Sequence, residues 1–115
     1  MIISMDSLLS YKINQTPGCS VEQVGEGTWR LTTPAVKSGS YRYAQLDDYS
    51  GFPRSRFKWQ APLRLECSAR ISHPDHPGTW GFGLWNDPFT ANIWIRGAGM
   101  RLPALPNVAW FLQAS

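Results

Sequence analysis

The chain has 115 residues, a formal net charge of +3, a hydrophobic content of 43% and an aromatic content of 13%, with six tryptophans. That length suits one domain with a modest core, and 10 glycines with 9 prolines leave few stretches for a helix of ordinary length. The cations are scattered rather than gathered into a dense stripe, which argues against nucleic-acid binding, and no apolar run approaches a membrane span.

Residues 1–20 carry mixed signals and are read as one end of a single domain over 1–115, either irregular or holding a short strand at Leu8-Leu9 or Tyr11-Lys12-Ile13 that ends at Thr16-Pro17-Gly18. The start, Met1 to Leu9, lacks a basic leader and is interrupted by Asp6, so the expectation is a cytoplasmic protein. Val21-Glu22-Gln23-Val24 then leads through Gly25-Glu26-Gly27 into Thr28-Trp29-Arg30-Leu31-Thr32, which predicts a β-hairpin. Alternation resumes at Tyr41-Arg42-Tyr43-Ala44-Gln45-Leu46, with Tyr41, Tyr43 and Gln45 on one side, and breaks at Asp47-Asp48-Tyr49-Ser50-Gly51. Arg54, Arg56 and Lys58 form the tightest basic group. On a strand all three would share a solvated face, with anion contact as the alternative. Phe57-Lys58-Trp59 reads as a short strand.

The clearest element runs from Leu63 to Ser72. Leu63, Leu65, Cys67, Ala69 and Ile71 alternate with Arg64, Glu66, Ser68, Arg70 and Ser72, the mark of a half-buried antiparallel strand. A breaker-rich turn, His73 to Gly78, precedes a strand over Thr79-Trp80-Gly81-Phe82-Gly83-Leu84-Trp85. Gly81 and Gly83 strip one face of that strand beside Trp85, leaving room for a neighbouring aromatic or for a ligand. Asn86-Asp87-Pro88-Phe89 ends it. Asn92 to Arg96 reads as a further short strand, Arg101 to Asn107 as an extended loop, and Val108 to Leu112 as a last strand.

Leu65 to Arg70, followed after a turn by Gly78 to Phe89, resembles paired strands of the concanavalin A-like lectin/glucanase superfamily, and more closely a group of uncharacterised bacterial proteins within it. Tyr43 to Tyr49 and Leu102 to Asn107 are similar to further signatures of that group. The resemblance covers roughly residues 20 to 115 and implies an all-β, antiparallel jelly-roll sandwich whose concave face often holds sugar. Such domains are usually about twice this length, so the resemblance further implies an incomplete sandwich, with exposed strand edges that favour a homodimer.

The glucanases of the superfamily carry Glu-x-Asp-x-Glu on one strand, placing a nucleophile and a general acid on one face. No such run exists here, so catalysis is not expected unless its acids lie outside this segment. The expected function is a non-catalytic, lectin-like carbohydrate-binding module, with a ligandless structural sandwich as the other reading. Sugar rings stack on flat aromatic surfaces, and their hydroxyls pair with amides and carboxylates. The candidate contacts are therefore Tyr43, Gln45 and Asp47 on one strand and Trp85, Asn86 and Asp87 at the end of another. The competing reading makes Trp80, Trp85, Trp94 and Trp110 packing residues and Asn86-Asp87-Pro88 a turn. No cofactor or metal is expected. His73, Asp75 and His76 share a loop but lack a third strong ligand, and Cys19 and Cys67 lack metal spacing. Cys67 reads as a buried free thiol, and a disulfide to Cys19 would require an oxidising compartment.

Overall fold

The computed structural model describes residues 1–4, 10–35, 41–75, 78–86 and 108–114, with 3, 4 and 108–114 described by backbone alone. Within them the protein is all-β. Its strands are β1 (Ile2–Ser4), β2 (Lys12–Gln15), β3 (Ser20–Gly25), β4 (Thr28–Thr32), β5 (Ala44–Asp47), β6 (Ser68–Arg70), β7 (Thr79–Trp85) and β8 (Val108–Ala114). A three-residue 3-10 turn at Arg54–Arg56 is the only helical element among the described residues. No helix there is long and apolar enough to cross a membrane. The chain divides into two compact units, one of Met1–Asp48 with Glu66–Pro77 and one of Tyr49–Leu65 with Gly78–Ser115.

The first unit holds a four-stranded sheet, ordered β3-β4-β1-β6, and a separate pair, β2-β5, with every ladder antiparallel. The β3–β4 hairpin forms where the glycines predict it. Gly27 takes φ 61° in the turn, a left-handed conformation that glycine adopts without steric cost. The register then sets Val21 opposite Leu31 and Gln23 opposite Trp29. Val21 and Leu31 are buried, and Met1, Trp29, Ala44, Leu46 and Cys67 pack against them. Ala44 and Leu46 come from β5, so this core joins the hairpin to the β2–β5 pair. The opposite face of the four-stranded sheet carries a row in direct register, Glu22–Arg30–Ile2–Arg70, one residue from each strand.

β2 and β3 are linked by a tight turn in which the Cys19 amide donates to the Thr16 carbonyl at 3.0 Å. Pro17 and Gly18 are its central residues, and Gly18 sits at φ 85°, the geometry of a type II turn. Arg42 donates to the Pro17 carbonyl and so braces the same turn. Among the described residues of 1–20, expected to be irregular or to hold a short strand, lie β1 and β2, with β3 beginning at Ser20; Leu8-Leu9 lies outside the described residues.

The second unit holds the β7–β8 pair, whose register puts Gly81 opposite Leu112 and Gly83 opposite Trp110. β7 has the bounds its alternation predicts. Each strand-interior glycine is matched by a large residue at the same position of the neighbouring strand. Tyr49 and Phe57 meet edge-on with ring centroids 5.3 Å apart. The Phe52 amide donates to the Tyr49 carbonyl across a turn with Gly51 at φ 84°.

Two expectations are corrected. Of the alternating stretch Leu63–Ser72, only Ser68–Arg70 joins a ladder, because its partner β1 pairs over three residues, and Leu63 and Leu65 are exposed. Alternation describes two faces; it does not supply a partner for either edge. The Arg54–Arg56–Lys58 strand face does not form either. Arg54 and Arg56 lie in the 3-10 turn, and Phe57 to Trp59 is outside any strand. The expected strand at Asn92–Arg96 lies outside the described residues.

Candidate functional site

β2 and β5 are both four residues long and pair Lys12 with Asp47, Ile13 with Leu46, Asn14 with Gln45 and Gln15 with Ala44. Strand parity puts Lys12, Asn14, Gln45 and Asp47 on one face of this ladder. Asn14 Nδ2 donates to Asp47 Oδ2 at 2.6 Å, and Gln45 Nε2 donates to the same oxygen at 2.8 Å. Asn14 and Asp47 are buried while Gln45 is half-buried, so the cluster closes over its carboxylate and brings its outer amide toward solvent. A buried carboxylate is tolerable where donors converge on it, and two amides do so here. Lys12, its register partner, adds opposite charge across the ladder.

Tyr43 extends the ladder by one position. Its amide donates to Thr16 Oγ1 at 3.1 Å, and its carbonyl accepts the Thr16 amide at 3.0 Å. Its ring lies 5.7 Å from that of Tyr41 at an interplanar angle of 37°. Tyr41 is 84% exposed and Tyr43 is half-buried, so the pair offers one open ring just before β5, which carries Gln45 and Asp47.

The candidate residues therefore separate. Gln45 and Asp47 lie on β5 of the first unit, and Tyr43 lies just before that strand. Trp85 and Asn86 belong to the second unit, and Asp87 lies outside the described residues. Trp85 is half-buried with its indole nitrogen buried, closer to the packing reading than to an open platform. Trp80 is half-buried too, while Trp94 and the Trp110 side chain are outside what is described. The Asn86 carbonyl accepts a hydrogen bond from Arg54 Nε at 3.2 Å, tying the 3-10 turn to the end of β7. Asn14, which no sequence pattern singles out, joins this site through its bond to Asp47.

The remaining chemistry-bearing groups are engaged locally. His73 Nδ1 accepts the Asp75 amide at 3.2 Å in an exposed turn, and His76 lies outside the described residues. Among the described residues no three His, Cys, Asp or Glu gather as a metal site. Both cysteines are free thiols. Cys19 is buried, with Sγ 3.2 Å from Thr16 Oγ1. Cys67 is half-buried against the core, and burial pushes its thiol pKa above the ordinary value. Comparison of the chain with family models, with curated proteins and with solved structures finds no match.

Proposed function

We propose that this chain is a non-catalytic carbohydrate-binding module built on a jelly-roll sandwich of the concanavalin A-like type. The sandwich reading is supported by ladders that are all antiparallel and by the packing of Ala44 and Leu46 from one strand pair against Val21 and Leu31 of the four-stranded sheet. The binding reading rests on one observation, the exposed Tyr41 ring packed on half-buried Tyr43, which precedes the strand that carries Gln45 and Asp47. A pyranose would lay its C–H face on the Tyr41 ring and direct a hydroxyl to the Gln45 amide. Asn14 and Asp47, being buried, would act as positioning residues that hold Gln45.

Affinity electrophoresis through gels of soluble polysaccharides tests the proposal. The expected result is retardation by at least one polysaccharide that is lost in Tyr41→Ala while the variant keeps the wild-type circular dichroism spectrum. Unchanged mobility of the folded wild type in every gel would sink it. A structural reading has its own support, since burial of Asn14 and Asp47 is also what a stabilising polar network requires. It predicts that Asp47→Asn lowers stability while polysaccharide mobility is unaffected.

A further inference from the structure

At the end of the four-stranded sheet where β1 begins and β4 and β6 leave, a groove of about 460 Å³ has Ile2, Arg30, Thr32, Thr33, Arg70 and Ser72 in its lining. The register explains its chemistry. Ile2 pairs with Arg30 on one side and Arg70 on the other, so two arginines flank one apolar residue in a single row. Each lies one strand spacing away, roughly 5 Å, so the two backbones stand about 10 Å apart. Both arginines line the same groove together with Ile2. The strand parity that places Arg30 and Arg70 on this face also places Thr32 and Ser72 there. Both arginines are exposed, and the one acid in the row, Glu22, is opposite Arg30 on its far side.

We propose that this groove binds a doubly charged tetrahedral oxyanion, a phosphate or sulfate group, clamped between Arg30 and Arg70 with hydroxyl donors from Thr32, Thr33 and Ser72. The donor count selects this class. One guanidinium satisfies both oxygens of a carboxylate in a bidentate pair. Two guanidiniums and three hydroxyls supply more donors than a carboxylate has oxygens to accept, and they match the oxygens and two charges of a phosphate monoester or of inorganic phosphate or sulfate. The positive field is visible nearby. The Met1 ammonium, which donates to the Leu31 carbonyl at 2.8 Å, is held below its ordinary pKa by burial and then by Arg30.

The test is thermal unfolding of the whole chain with inorganic phosphate, sulfate or acetate at matched ionic strength, with dissociation constants taken from the dose dependence. Phosphate and sulfate should raise Tm in a saturable way, and acetate should not. Arg30→Gln and Arg70→Gln should each weaken phosphate roughly ten-fold or more, the loss expected for a charged hydrogen-bonding group. Arg70→Lys, which keeps the charge and loses the fork, should fall between wild type and Arg70→Gln. Glu22→Gln should tighten phosphate roughly two- to five-fold by releasing Arg30 from an exposed opposite charge. Acetate matching phosphate, equal phosphate affinity in Arg30→Gln and wild type, or a wild type whose Tm ignores phosphate would each overturn the proposal. The outcome is independent of the polysaccharide experiment, which reads a different strand pair.

Discussion

The β3–β4 hairpin and the stretch from Leu63 to Ser72 make a useful pair. The second has the better strand sequence, with ten residues in unbroken alternation. The first is shorter in each arm and carries a register irregularity between Gln23 and Gly25. Yet the hairpin forms along its whole length and supplies the buried pair Val21 and Leu31, whereas the perfect pattern contributes three residues to a ladder and leaves Leu63 and Leu65 exposed. The difference is local closure. Gly25-Glu26-Gly27 brings β4 back onto β3 at little loop entropy, while β6 has to meet β1, more than sixty residues away in sequence. Period-two patterning is permissive; a turn that delivers the partner strand decides.

That contrast gives the largest expected effect. Leu31→Ala removes a buried side chain from a core in which, among the described residues, Val21 is its buried partner, and should cost about 2–5 kcal/mol in urea unfolding. Leu65→Ala, in the more regular pattern but 43% exposed, should stay within about 0.5 kcal/mol of wild type. Comparable losses from the two substitutions would erase the distinction between the regions.

The polar ladder comes next. Asp47→Ala leaves the buried Asn14 Nδ2 and the Gln45 Nε2 without their shared acceptor, and should cost about 1–3 kcal/mol. Converting Asn14 and Asp47 together to apolar residues of similar shape should recover part of that loss, because the penalty lies in the lost Asn14–Asp47 bond being left half-made. A double variant as unstable as the sum of the singles would count against a shared network.

Gly27→Ala acts on the closing turn itself. At φ 61° a Cβ crowds the backbone, so the substitution should cost about 1–2 kcal/mol. A variant as stable as wild type would mean that the turn does not set the hairpin.

These positions also mark what the sequence makes legible. The hairpin and β7 are readable because pattern and punctuation agree within a dozen residues. The common face of Gln45 and Asp47 is readable from parity alone. Asn14 is not, because its bond to Asp47 spans 33 positions between strands that are not sequence neighbours. The order β3-β4-β1-β6 is unreadable for a related reason. β1 pairs over only three residues, too few to show a period, yet it occupies the interior of the sheet. The Arg30–Ile2–Arg70 row therefore exists only once that insertion is known.

Cys67 offers the smallest effect and tests where the alternating stretch joins the fold. It is the residue just before β6, and it packs against the Val21–Leu31 core while Leu65, two positions earlier, is open to solvent. Burial holds its thiol pKa above the unfolded value, so the folded state keeps the proton where the unfolded chain releases it. The associated stability is fully present below the unfolded thiol pKa of about 8.5 and is lost as pH rises through the folded value. Wild type should therefore show a shallow fall in stability from pH 8.5 upward, and Cys67→Ser, whose hydroxyl does not titrate there, should be flatter over the same interval. Iodoacetamide should alkylate Cys67 more slowly at pH 7.5 in the folded protein than in urea, since the thiolate is the nucleophile. Equal rates in both conditions would place Cys67 with Leu65, outside the core, and move the point at which this segment enters the fold to Ser68.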